Sequence, residues 1–149
     1  MTARPRGFAI DISSSVRRLS VSRARVRDAA TAALKAEGVK DCMLSITFLG
    51  RAAMSALNKR YLGHNGPTDV ISFGLGRGSK RDPVIGDIYI CPEVARDNAR
   101  RQAVAAGEEL LRLVVHGTLH VLGHDHPADE DRIKSPMWKR QERILARVI

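Results

Sequence analysis

The stretch from Leu110 to His126 constrains this chain more than any other. Leu110, Leu111, Val114, Val115, Leu119 and Leu122 recur at the steps of a helix with a wide apolar stripe. Such a helix belongs at the centre of a fold. Gly123 is its expected stop, because a left-handed residue costs least there without a Cβ. Four of the chain's five histidines fall in the same stretch: His116, His120, His124 and His126. His116 and His120 stand at i and i+4, so both imidazoles leave one helix face. A turn at Gly123 can bring His126 round as a third ligand. Three neutral nitrogens at ~2.0–2.1 Å from one ion leave a fourth tetrahedral position for water, the arrangement of catalytic zinc. One Zn2+ is the expected cofactor, although nickel and cobalt also suit three imidazoles. His124 is expected to point away from the ion, and Asp125 to orient a ligand imidazole.

The remaining periodicities give an α+β single domain over residues 1–149. About four strands form a mixed sheet packed against several helices, with the zinc site at the end of the central helix. Phe8, Ile10 and Ile12 alternate as in a half-buried strand, and Met43–Leu49, Thr68–Phe73 and Ile85–Cys91 read as three more. Ser22 is placed to cap a helix with Val26, Ala29, Ala30, Ala33 and Leu34 on one face, ending at Gly38. Met54, Leu57 and Tyr61 mark a second helix with Gly63 as its stop. Pro92 opens a third, expected to run to Gly107, and Ser135-Pro136 opens the last.

Composition limits the setting. Cys42 and Cys91 match no redox or metal spacing and read as small buried hydrophobes in a reducing compartment. No apolar run resembles a signal sequence or a membrane span, so a cytoplasmic location without a membrane partner is expected. The net charge of +9 is uneven. Residues 1–27 carry seven arginines against Asp11, and residues 132–147 net +5. Such clusters suit a polyanion, with RNA as the leading candidate.

The histidine spacing also occurs in metzincin peptidases, where a glutamate after the first histidine is the general base. Gly117 occupies that position here and cannot take a proton. The motif His116-Gly-Thr-Leu-His120-Val-Leu-Gly-His-Asp-His126 instead resembles the YbeY family of bacterial endoribonucleases and ribosomal RNA maturation factors. Leu57-Asn58, Pro67-Thr68-Asp69-Val70-Ile71-Ser72-Phe73 and Gly86-Asp87-Ile88 resemble other family segments in the same order. His124 stands where tyrosine is commoner.

The resemblance implies a zinc-dependent endoribonuclease acting on single-stranded RNA, in maturation of small-subunit (16S) ribosomal RNA and in ribosome quality control. His116, His120 and His126 would be its zinc ligands. Ribosomal RNA and the ribosome or its small-subunit proteins are the implied partners, and no DNA partner is expected. The family places an arginine thought to serve cleavage within Tyr-Arg-Gly; here the run is Tyr61-Leu62-Gly63. Arg60 and His64, flanking that leucine, are the residues expected to cover the catalytic loss. Two other functions stay open: a non-catalytic ribosome assembly factor with structural zinc, and a zinc hydrolase of peptides or small molecules.

Overall fold

The computed structural model describes residues 6–126 and 130–149. Its elements follow as β1 (Phe8–Ser14), α1 (Arg23–Ala36), β2 (Cys42–Phe48), α2 (Arg51–Leu62), β3 (Val70–Leu75), β4 (Val84–Ile90), α3 (Pro92–Gln102), α4 (Ala106–Val121) and α5 (Pro136–Leu145). A short 3-10 helix over Glu130–Lys134 precedes α5. The helix starts obey local chemistry. The Ser22 side chain accepts from the Arg25 N–H, the Ser135 side chain accepts from the Trp138 N–H, and Pro92 and Pro136 sit in first turns where no amide proton is required. Gly38, Gly63 and Gly123 take positive φ just beyond their helices.

One stop falls elsewhere. Helix α3 ends at Gln102, and Ala103 takes the left-handed conformation with φ of 56°. Gly107 lies inside the first turn of α4, where a Cβ would come within 2.9 Å of Val21 Cγ1 and 3.2 Å of the Ser20 carbonyl oxygen. Its missing side chain serves close approach, not termination.

The four strands run in the order β1-β2-β4-β3, with β1, β2 and β4 parallel and β3 antiparallel to β4. Strict alternation puts Leu44, Ile46, Phe48, Ile88 and Ile90 on one face, all essentially buried. Helices α1 and α4 contribute Ala29, Ala30, Ala33, Leu111, Val115 and Leu119 to the same core. Each leucine so buried contributes about 1.5–3 kcal/mol over exposure. On the other face a smaller cluster of Met54, Ile71 and Cys91 lies against Leu57, Phe73, Tyr89 and Val94. Towards β1 that face turns polar, with Ser45 donating to Asp87 at 2.6 Å and Ser13 to Thr47 at 3.3 Å.

Both cysteines are buried and free, as expected, and burial pushes the Cys42 thiol up to about 11. The arginine-rich start is only partly open to a polyanion. Arg4 lies outside the described residues, while Arg23, Arg25 and Arg27 each donate to a backbone carbonyl, those of Ile12, Val148 and Ile10. No helix among the described residues is long and apolar enough to cross a membrane.

Helix α4 packs against α1, α3, α5, β3 and β4. Its C-terminal end rests on a glycine pair: Gly74 and Gly86 are opposite one another in the β3–β4 ladder. A Cβ at Gly74 would lie 2.6 Å from the Val121 carbonyl oxygen, and one at Gly86 only 2.4 Å from Val121 Cγ1. Gly86→Ala is expected to cost about 2 kcal/mol by overpacking and to lower the melting temperature by roughly 4–8 °C. Gly76→Ala, which meets open space, should change stability by less than about 0.5 kcal/mol. Paired thermal melts check both values.

Candidate metal centre

His116 and His120 project from the C-terminal end of α4, one turn apart, with ring centroids 4.5 Å apart. The chain then turns back. The Gly123 N–H donates to the His120 carbonyl at 2.9 Å, the His124 N–H donates to that of Leu119 at 3.0 Å, and Gly123 takes φ of +99°. The Asp125 carboxylate accepts from the His126 N–H at 2.9 Å, bracing the turn through its backbone. His126 is thereby delivered 4.9 Å, centroid to centroid, from each of the other two rings.

One nitrogen from each of the three rings lies within 4.8 Å of the other two, and the Nε2 atoms of His116 and His126 are 3.3 Å apart. Two ligands on a tetrahedral zinc at ~2.0–2.1 Å stand roughly 3.3–3.4 Å apart. The cluster therefore has the spacing and the donor set of a metal site.

The tautomer of His116 follows from its neighbours. The Gln141 amide nitrogen donates to Glu142 at 3.0 Å, so the amide oxygen faces His116 Nδ1, 2.6 Å away. Nδ1 carries the proton, and Nε2 keeps its lone pair for a cation. Glu142 is held by Arg112, whose Nε and Nη2 both donate to it at 3.0 Å. Arg112 also pairs with Glu109 at 2.9 Å and Glu108 at 3.3 Å. Burial raises the Glu109 pKa against the pull of Arg112.

His124 points away from the three rings, as expected. It pairs with Glu37 at the end of α1, and Arg140 of α5 takes the other oxygen of that carboxylate. For His116 the orienting group is Gln141, while Asp125 accepts from the His126 backbone N–H. A signal for Gln141 was present in the sequence, since it is the one polar member of the buried face formed with Met137, Ile144 and Leu145.

The histidines open into a cleft of about 660 Å³. Leu62, Asp69, Ser72, Asn98, Arg112, Arg132 and Trp138 also line it. Arg60 and His64 do not. Both are exposed, and Arg60 lies over the Tyr61 ring with its guanidinium carbon 5.3 Å from the centroid. Position 117 faces the sheet: a Cβ there would lie 2.8 Å from Ile88 Cγ2 and 3.1 Å from Ser72 Oγ. A peptidase glutamate is thus excluded by packing as well as absent.

Burial, reinforced by the charges of the neighbouring histidines, lowers the His116 pKa from 6.5 to about 4 despite the Gln141 hydrogen bond; burial lowers that of His120 as well. His116 and His120 are therefore neutral at pH 7 and need lose no proton to bind a cation. The unfolded chain protonates position 116 near pH 6.5, whereas the folded chain resists until about pH 4. Ion-free protein should therefore be fully stable above about pH 6.5 and lose stability as pH falls toward 4. His116→Asn should flatten that segment of the profile, as read by urea unfolding at each pH.

A sequence model described as Endoribonuclease YbeY matches residues 11–149. The chain is 40% identical over 125 residues to the Endoribonuclease YbeY of Anaeromyxobacter sp. (strain Fw109-5), covering 83% of this chain and 62% of that protein. It is 32% identical over 140 residues to that of Geobacter sulfurreducens, covering 92% and 93%. The chain thus spans 62% of the length of the first relative and nearly all of the second. The solution structure of the Thermotoga maritima protein TM1509 shares the fold, with a TM-score of 0.63 at 24% identity over 93% of this chain and 88% of that one. The match over residues 11–149, with relatives aligned over most of this chain, carries one conclusion: the chain belongs to the Endoribonuclease YbeY family.

Proposed function

We propose that this protein is a zinc-dependent endoribonuclease that cleaves single-stranded RNA, with small-subunit ribosomal RNA as its substrate in the cytoplasm. The observation that carries the reading is the convergence of His116, His120 and His126 at the mouth of a wide cleft, with two ring nitrogens at 3.3 Å. The relatives' name supplies the reaction class, and the net charge of +9 suits a polyanionic substrate. When bound, the ion would supply Lewis-acid activation of water and of a phosphoryl oxygen.

The chain's own residues do the rest. Gln141, Glu142 and Arg112 hold His116 in its ligand tautomer. Glu37 and Arg140 tie down the turn that carries His126. The cleft carboxylates are already engaged: Asp69 accepts from the Val70 N–H at 2.8 Å and from Asn98 at 3.1 Å, and Glu109 is paired with Arg112. Neither is a free general base. Arg60, at the exposed end of α2, and His64, just beyond that helix, flank Leu62 and are assigned to RNA approaching the cleft from outside.

One observation favours the second reading, a non-catalytic assembly factor with a structural ion: an apolar Leu62 lines the cleft where the family carries arginine. Metal removal separates the two. For the nuclease, chelation should abolish cleavage of single-stranded ribosomal RNA fragments while the melting temperature moves little, and elemental analysis should find one zinc per chain. Unfolding on chelation would favour the structural ion. His116→Ala should lose at least about 100-fold in cleavage, whereas Arg60→Ala and His64→Ala should each lose less than about tenfold. Equal cleavage by wild type and His116→Ala would attribute the activity to a contaminant.

A further inference from the structure

Two residues of the cleft take no part in holding the histidines. Arg132 and Trp138 line the same cavity as the three rings, from the short helix before α5 and from the first turn of α5. They are fixed to one another by Ser135, which is buried. Its hydroxyl donates to the Arg132 carbonyl at 2.7 Å and accepts from the Trp138 N–H at 3.2 Å. The Arg132 guanidinium carbon lies 5.9 Å from the centre of the indole. Arg132 is exposed and Trp138 half-buried, so both present a surface to a ligand.

Charge makes the two cleft arginines unequal. Arg112 lies within 3.3 Å of Glu108, Glu109 and Glu142, and that corner is net negative and repels a phosphate. Among the described residues Arg132 has no carboxylate partner, and its guanidinium lies against the indole. Leu62, which also lines the cleft, brings no charge.

Resting on the nuclease reading, we propose that Arg132 and Trp138 form a nucleotide subsite beside the three histidines, the indole stacking one RNA base and the guanidinium neutralising a backbone phosphate. Aromatic stacking is open to any unpaired base and closed to a base held in a duplex. The subsite therefore selects single strands without reading sequence. It also puts the charge expected on α2 onto the α5 side of the cleft.

Trp138 is the chain's only tryptophan, so its emission reports the subsite directly. The zinc-loaded full chain is titrated with a single-stranded 2′-O-methyl oligoribonucleotide, shown to remain intact on a gel, and with the same strand in a duplex. A labelled copy gives the affinity by anisotropy, independently of the tryptophan. Tryptophan quenching should follow the anisotropy isotherm for the single strand and be absent for the duplex. Trp138→Leu and Arg132→Gln should each weaken binding by roughly tenfold with zinc content unchanged. Arg132→Gln should also reduce the slope of log affinity against log salt by about 0.7, and Arg132→Lys should restore it. Trp138→Phe, which preserves packing, should bind more tightly than Trp138→Leu.

Binding with unaltered tryptophan emission, and with wild-type affinity in both variants, would overturn the subsite and leave the nuclease reading standing. Loss of zinc from Arg132→Gln would overturn it by assigning that residue to the metal centre. Absence of both binding and cleavage by the zinc-loaded wild type would overturn the subsite and the nuclease reading together.

Discussion

Helix α4 can lie where it does only because the sheet beneath it and the helix itself lack Cβ atoms at the points of contact. Gly74 and Gly86 clear a seat for Val121, and Gly117 clears one for Ile88. These absences fix the height of the helix end above the sheet, and the height fixes where the His116 and His120 rings emerge. The histidine cluster is thus a product of backbone approach before it is a product of histidine chemistry. Protein interiors yield little to added volume, so small residues here act at a distance on the position of the imidazoles.

The second layer of control is electrostatic. A half-buried arginine in contact with three carboxylates is costly unless every partner is satisfied. Here the surplus of negative charge is put to use, since Glu142 orients the amide that orients the ring. The chain from Arg112 through Glu142 and Gln141 to His116 couples α4 to α5 with polar contacts of 3.0 Å or less. Among the described residues the cavity holds one arginine saturated by carboxylates and one without a carboxylate partner, so its walls differ in charge.

Much of this was legible beforehand, for local reasons. Strand alternation and the serine caps depend on nearest neighbours and declare themselves in sequence. So did the three histidines, because a helix step and a glycine turn relate them over eleven residues. What stayed hidden depended on contacts between distant segments. Gly107 reads as a helix stop until the loop of Ser20 and Val21 is seen pressed against it. Asp125 was the natural partner for a ligand ring by proximity along the chain. The partner found is Gln141, 25 residues from His116 and visible only as a polar intruder on an apolar face. Gly86 stands in a segment that resembles the family, and its physical reason lies in a helix 35 residues further on, at Val121.

The Glu37 clamp bears on how the protein is made. It joins the end of α1 to His124, 87 residues away, and to Arg140, 103 residues away. Closing loops of that span belongs late in assembly, after local helices and the sheet have formed. The third imidazole is anchored only when the C-terminal helix has emerged and docked. A nascent chain therefore carries an incomplete histidine cluster until α5 has been made and has docked.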